Sequence, residues 1–239
     1  MKRKKTIIII CICVVVLAAV GVAAVLLLNQ KKGSDELSKP GHFIEVEVTP
    51  EPEIDYAELS EAKVGDKVQI GDYEGEISWT VLEEKGDKLF LITSGCVAEN
   101  SYHDKDEETS WKDCTLRAWL NDTFYNEAFS DDEKKSILKT KVVNKKNPDF
   151  DTVGGKPTRD FVYLLSIDEA NNYFDDRGVR MATNKEGNFV WWWLRSPGFQ
   201  PNDAANVGDY GYVNTAGHKV FDKYVMNGGV RPVMWVKRK

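Results

Sequence analysis

The longest hydrophobic stretch of the chain lies near its N-terminus, where residues 6–28 contain no charged side chain. A helix over this range spans roughly 34 Å, and the hydrocarbon core of a bilayer is about 30 Å thick. Four basic residues precede the stretch and two follow it. Because positive charge favours the cytoplasmic side, the pattern predicts a single transmembrane helix with residues 1–5 in the cytoplasm and the rest outside the cell.

Two alternatives compete for this segment. A cleaved signal peptide has an apolar region of about 7–15 residues and ends in a small-x-small site. This stretch is longer and ends in Leu-Leu-Leu-Asn, so cleavage is disfavoured. A lipoprotein needs small residues before its cysteine, whereas isoleucines surround Cys11 and Cys13.

The next 32 residues, 29–60, lack a sustained helical or strand period and contain Pro40, Pro50 and Pro52. Each proline biases the preceding residue towards an extended conformation. We therefore expect residues 29–60 to form an extracellular linker and residues 61–239 to form one globular domain.

Strand-like and helix-like patterns follow in the first half of that domain. Residues 77–82 and 88–93 are rich in β-formers, and a Gly-containing connection predicts a hairpin between them. Leu116, Leu120 and Phe124 recur at helical spacing and predict a helix over 115–127. Ser130 with Glu133 is a capping box for a helix over 131–138, and a second capping box opens a short helix that ends at Phe174.

The last 50 residues have a strand-like pattern and many glycines. Residues 190–195 predict a strand in which Trp191 and Trp193 face one side and Trp192 the other. Residues 211–214 and 218–221 are predicted to flank a turn at 215–217, and residues 229–236 to form the closing strand. Pro232 cannot donate to a ladder and is expected at an edge or a bulge. The fold class is therefore α+β, with short helices and a twisted antiparallel sheet.

Charge divides the chain unevenly. The formal net charge is -6, but residues 1–32 carry six basic and no acidic side chains, so residues 33–239 carry -12. An acidic domain is repelled by phosphate backbones, which argues against nucleic acid as a partner.

Five sequence blocks stand in a distinctive order across the domain. The blocks are residues 111–121 (WKDCTLRAWLN), 124–130 (FYNEAFS), 164–166 (LLS), 192–198 (WWLRSPG) and 229–232 (GVRP). Together they resemble a bacterial family of unknown function, common in Gram-positive bacteria and often attached to a membrane anchor, and the resemblance extends over about residues 64–237.

The closing pattern also resembles the C-type-lectin-like fold, which formylglycine-generating enzymes share. That resemblance implies a C-type-lectin-like core. The copper-thiol chemistry of those enzymes needs a cysteine pair late in the chain, and no cysteine follows Cys114 here. His42, His103 and His218 have no nucleophile at a recognisable motif position. We therefore expect a domain without copper-thiol chemistry and without a histidine-assisted nucleophile. A binding module is expected rather than an enzyme.

Candidate ligand-binding residues cluster after the tryptophans. Residues 200–203 (QPND) are similar to the loop through which sugar-binding C-type lectins hold calcium, and nearby carboxylates and amides suit a hard cation. A plain polar loop is the stronger interpretation, so we expect no cofactor, with calcium as the weaker alternative. The loop region 196–212 is the expected ligand surface, and the candidate residues are Trp192, Asp203, Asn206, Asp209 and Tyr210.

Cys96 and Cys114 could form a disulfide outside the cell, where thiols are oxidised, or remain two buried thiols. Closing that loop would contribute roughly 3 kcal/mol in the chain-entropy account. Arg195 and Arg231 are expected to anchor loops, because a buried arginine needs partners. The sequence as a whole predicts a membrane-anchored extracellular binding or scaffolding module for an envelope glycan or a surface protein. The alternative is an enzyme that acts on cell-envelope material.

Overall fold

The computed structural model describes residues 54–222 and 227–238. The predicted transmembrane helix, residues 6–28, and the predicted linker up to residue 53 lie outside this range. Within it, no helix has the length and apolar character needed to cross a membrane. The end of the predicted linker makes contacts with the domain, because Ala57 donates from its backbone N–H to the carbonyl of Lys67 and Leu59 packs against the core.

Strands form most of the regular structure in the described residues. In chain order they are β1 (Lys67–Asp72), β2 (Glu76–Lys85), β3 (Lys88–Thr93), β4 (Ala98–Asn100), β5 (Ile137–Leu138), β6 (Thr140–Val142), β7 (Thr158–Asp160), β8 (Ala182–Thr183), β9 (Phe189–Val190), β10 (Trp192–Pro197), β11 (Asp203–Val207), β12 (Val213–Lys219), β13 (Gly228–Val230) and β14 (Val233–Lys237).

Helices are short. They are α1 (Thr115–Trp119), a π-helical turn (Leu120–Phe124) that leads directly into α2 (Tyr125–Ala128), α3 (Asp131–Lys134), α4 (Ile167–Asn172) and α5 (Arg177–Arg180). The predicted helix over 115–127 is thus confirmed as a continuous helical segment with a π-turn at its centre. Both predicted capping boxes are present, at Ser130 with Glu133 and at Ser166 with Glu169.

Two five-stranded sheets hold the core. The first sheet has the order β1-β2-β3-β14-β5 and the second β12-β11-β10-β13-β4. All neighbours in the first sheet are antiparallel, whereas β10 and β13 in the second are parallel. The mixed α+β class is confirmed. The strands of the last 50 residues do not form one sheet, because β14 joins β1, β2, β3 and β5 in the first sheet while β10 to β13 belong to the second.

The closing strand illustrates how the two sheets are joined. Residues 229–236 were predicted as one strand, but β13 belongs to the second sheet and β14 to the first. Arg231 and Pro232 form the corner between them, so Pro232 lies between two strands and not at an edge or bulge. Its carbonyl accepts from the N–H of Thr93 at 3.1 Å, which ties the corner to the end of β3.

Two further predictions are wrong because strand pairing with distant segments overrides the local pattern. The helix predicted over 131–138 ends at Lys134, because Ile137 and Leu138 pair with β14 as an added edge strand. The turn predicted at 215–217 lies inside β12. Gly217 adopts a positive φ of 77° there, and a Cβ at this position would lie 2.1 Å from the carbonyl oxygen of Ala204. This glycine therefore permits a close strand approach and does not reverse the chain.

Candidate functional site

The three consecutive tryptophans alternate as predicted. Trp191 and Trp193 share one side of the chain, with ring centroids 4.7 Å apart in an edge-to-face contact. Trp192 faces the other side, is fully buried, and lies under the Arg231 guanidinium at 5.2 Å. Trp193 is also buried, whereas Trp191 is partly exposed. The structure therefore places Trp191, not Trp192, where a ligand could reach an indole ring.

A small cavity of about 100 Å³ opens beside Trp191. We call it the Trp191 cavity, and its walls include Ser101, Trp191, Trp193, His218, Lys219 and Asn227. A side chain at residue 228 would collide with these tryptophans, because a Cβ there would lie 2.4 Å from the Trp191 ring and 2.5 Å from the Trp193 Nε1. Gly228 thus allows both indoles to approach the backbone of β13.

Polar groups of the Trp191 cavity are ordered by the fold. The His218 ring lies 4.6 Å from the Trp191 ring, centroid to centroid. Burial lowers the pKa of His218 below its usual value, and the Asp203 carboxylate opposes that shift only in part. The imidazole is therefore neutral at pH 7 and can both donate and accept a hydrogen bond. The Ser101 hydroxyl donates to the Asn227 amide oxygen at 2.9 Å.

The five predicted ligand-binding residues do not form one cluster in this arrangement. Asp203 is buried, and its carboxylate pairs with Lys219 at 3.0 Å and accepts from the N–H of Gln200. Asn206 is buried and accepts from the Asn214 amide at 3.0 Å. Asp209 and Tyr210 are exposed, with 74% of Tyr210 accessible. In the part of the chain that the structure describes, no three His, Cys, Asp or Glu side chains are placed to hold a metal ion. The calcium site and the ligand role of these residues stay predictions.

No sequence motif pointed to Ser101 or Asn227, and His218 was given no role because no nucleophile stands at a motif position beside it. One signal for His218 was available. The period of two places Trp191 and Trp193 on one face of the strand. His218 is the histidine of the predicted hairpin that follows, so a contact between its ring and Trp191 could have been proposed. Ser101 and Asn227 lie 126 positions apart, and no local pattern connects them.

Cys96 and Cys114 are both buried and free. Cys114 caps α1, where its sulfur accepts from the N–H of Arg117 at 3.4 Å and its thiol donates to the carbonyl of Trp111. Burial raises the pKa of each thiol to about 12. The reactive thiolate is therefore scarce at neutral pH. The disulfide stays a prediction that chemical labelling decides.

Two side chains of the first block, residues 111–121, bind one buried carboxylate outside it, Asp160. Its oxygens accept from the Trp111 indole at 2.9 Å, from the Arg117 Nε at 2.8 Å and from the Thr158 hydroxyl at 2.6 Å. The Arg117 Nη2 adds an ion pair at 2.7 Å. We call this group the Asp160 clamp. It fixes α1 to β7, so these polar residues stabilise the fold.

The two arginines of the later blocks also anchor the structure. Arg195 binds Glu169 with both terminal nitrogens and donates to the carbonyl of Leu164. Burial acts to raise the pKa of Glu169, but its bonds to Arg195 lower it overall. These contacts confirm that Arg195 is paired and holds a loop.

Arg231 has a different set of partners. It donates to the carbonyls of Thr93, Ser94, Arg180 and Met181, and it lies over the rings of Phe174 and Trp192. Among the described residues, no carboxylate pairs with it. Burial lowers its pKa to about 10. The guanidinium is therefore still charged at pH 7 and holds the corner between β13 and β14.

Comparisons with known proteins give one match. Neither the curated proteins nor the solved structures contain a chain that matches this one. A family model does match, and its range begins at residue 86, so β1 and β2 precede it. This chain belongs to the family described as Domain of unknown function (DUF6273), whose model matches residues 86–238.

Proposed function

We propose that this chain is a membrane-anchored, noncatalytic binding module with a C-type-lectin-like core, and that the Trp191 cavity receives one unit of an envelope glycan. The uncharged stretch 6–28 and its basic flanks support the anchor and the extracellular position of the domain. The acidic charge beyond residue 32 supports a ligand that is not a nucleic acid.

The observation that carries the proposal is the partly exposed Trp191 ring beside polar groups, with the charged side chains of Lys219 and Asp222 at the same opening. An aromatic ring offers an apolar surface for the C–H face of a sugar, and polar groups at its edge fix orientation. His218, Ser101 and Asn227 supply such groups at the same opening. The cavity volume suits partial insertion of one ring and not the enclosure of a whole oligosaccharide.

Binding is favoured over catalysis by the state of the reactive groups. The Ser101 hydroxyl donates to an amide and not to a base. Both thiols of the domain are buried, with pKa values of about 12. A nucleophile needs an adjacent base or a lowered pKa, and among the described residues the Ser101 hydroxyl is hydrogen-bonded to Asn227 and not to the His218 ring that lines the same cavity.

A glycan array probed with the full-length chain tests the proposal. We expect binding to a subset of glycans that Trp191→Ala weakens at least tenfold, because the stacking surface is removed. Phe189→Ala removes another exposed aromatic ring and should leave binding unchanged. Tyr210→Ala tests the surface predicted from sequence, and a loss confined to that variant would move the site to the 196–212 loop.

Three other results would overturn the proposal. Binding that is indifferent to both aromatic substitutions would remove the glycan site. Silence on the array together with a surface-protein partner in a pull-down would favour scaffolding. Shortened glycans after incubation would favour the enzyme alternative.

A further inference from the structure

A second opening lies on a different part of the domain. Two chambers of about 450 and 330 Å³ share a wall formed by the β1–β2 turn, the segment before β4 and the β8–β9 turn. We call them together the Lys185 groove, after the side chain that crosses the shared wall. Glu74 in the β1–β2 turn has a positive φ of 54°, a backbone conformation that is uncommon outside glycine and often found at functional turns.

Lys185 occupies a cage for a primary ammonium group. Its Nζ lies 2.7 Å from the Glu74 carboxylate, donates to the Tyr73 carbonyl at 2.9 Å and sits 5.2 Å from the centre of the Tyr73 ring. A carboxylate, a carbonyl and an aromatic face are the groups that bind ammonium ions. The Glu74 side chain is 74% exposed, so this ion pair contributes little to stability and can exchange with a ligand.

Further groups of the larger chamber favour a cation. Glu99 and Glu186 line it with a second aromatic residue, Trp119. The Asn184 amide donates to Glu99 at 2.9 Å and fixes the position of that carboxylate. Around Lys185, the chamber therefore presents more negative charge than the lysine itself neutralises.

The smaller chamber offers an independent sign of a missing partner. Thr93 lines it, is 1% exposed, and its hydroxyl makes no hydrogen bond within the described residues. A buried hydroxyl without a partner costs about 1–3 kcal/mol, so such groups usually find one. Arg231 lies behind the same wall and donates to the carbonyls of Thr93 and Ser94. Its charge favours an acceptor oxygen at this end.

We propose that the Lys185 groove binds a lysine side chain of a peptide: its ammonium replaces that of Lys185 in the cage, and a peptide carbonyl accepts from Thr93 after a local opening of the wall, because the Thr93 hydroxyl is closed to solvent in the free protein. The aminoalkyl stem would cross the wall that the two chambers share. This proposal is independent of the Trp191 cavity, because the two sites share no lining residue among those described.

Titration of the full-length chain with Nα-acetyl-lysine methylamide tests the proposal. We expect Lys185→Met to bind this probe about two- to fivefold more tightly than the wild type, the factor expected when a competing exposed ion pair is removed. Glu74→Gln combined with Tyr73→Leu should weaken binding at least tenfold. Lys134→Met is the matched control, because Lys134 also lies over a tyrosine ring, at 5.4 Å from the centre of Tyr125.

Two further measurements make the outcome decisive. Thr93→Val keeps the shape of the side chain and should weaken the probe severalfold without lowering the midpoint of thermal unfolding. In the wild type, the NMR signals of the Lys185 ε-methylene should shift with the lysine probe and not with Nα-acetyl-norleucine methylamide. This second readout stands even if Lys185→Met does not fold. Equal binding of both probes, or no shift of Lys185 at saturating lysine probe, would overturn the proposal.

Discussion

The Asp160 clamp and the Lys185 groove show opposite uses of polar side chains. At the clamp, one buried carboxylate has four donors and no opening to solvent. At the groove, a lysine and a glutamate remain partly exposed, and a buried hydroxyl has no partner in the described chain. Satisfied polar networks stabilise one structure, whereas open ones are available to ligands. Trp111 and Arg117 of the clamp lie in the block 111–121, so that block contributes to the framework.

The strongest test of this contrast removes the Asp160 carboxylate. Asp160→Ala leaves the Arg117 guanidinium and the Trp111 indole without their partner, and loss of one side of a buried ion pair costs about 3–5 kcal/mol. We expect the free energy of unfolding, measured with urea, to fall by that amount. Asp151→Asn alters a fully exposed carboxylate and should change it by less than ~0.5 kcal/mol. A loss below ~1 kcal/mol for Asp160→Ala would show that the clamp is not a stabilising element.

A second test concerns a buried amide that no block contains. The Asn147 amide donates to the carbonyls of Pro197 and Thr215, and its oxygen accepts from the N–H of Asp149. It thereby connects the 143–157 segment to β10 and β12. Asn147→Ala should lower the free energy of unfolding by about 2–3 kcal/mol, because several buried backbone groups lose partners. Asn126→Ala, at an exposed helix position, is the control, and equal losses in the two variants would contradict the assignment.

Local patterns predicted the parts of the fold that depend on near neighbours. The β2–β3 hairpin, the two capping boxes and the alternation of the tryptophans each involve residues within one element or one turn. The partners of Asp160 lie up to 49 positions away, and Asn147 binds residues up to 68 positions away. Such pairings depend on sheet order. The sequence offered no sign that β13 and β14 enter different sheets, because Arg231 stabilises that corner through distant carbonyls.

The sites follow the same division. An exposed aromatic contact in the tryptophan strand was predictable from its period of two, but the choice between Trp191 and Trp192 depended on which face carries Arg231. The Lys185 groove could not be predicted at all. Its walls come from three segments around residues 73, 98 and 184, and the first of them precedes the range that the family model matches.

The two cysteines compare the framework with the groove at the level of one side chain each. Cys114 belongs to the first block, and Cys96 lines both chambers of the groove. Burial raises the pKa of each from 9.0 to about 12. A raised pKa contributes stability that is complete below pH 9 and is lost as the pH rises towards 12, because the unfolded chain forms thiolates first. We expect the free energy of unfolding to fall by about 1.4 kcal/mol per pH unit for each thiol between pH 9 and 11. Cys114→Ala and Cys96→Ala should each reduce that slope.

Thiol labelling at pH 8, assigned by peptide mapping, separates the two positions. In the native protein both should react slowly, and Cys96 should react before Cys114 because the groove needs only a local opening to expose it, whereas Cys114 requires α1 to detach. In denaturant without reductant both should react fully and at equal rates. Protection of both cysteines in denaturant would instead establish the disulfide. If Cys114 reacted first in the native state, the clamp would be the less stable region, and the contrast between framework and groove would be reversed.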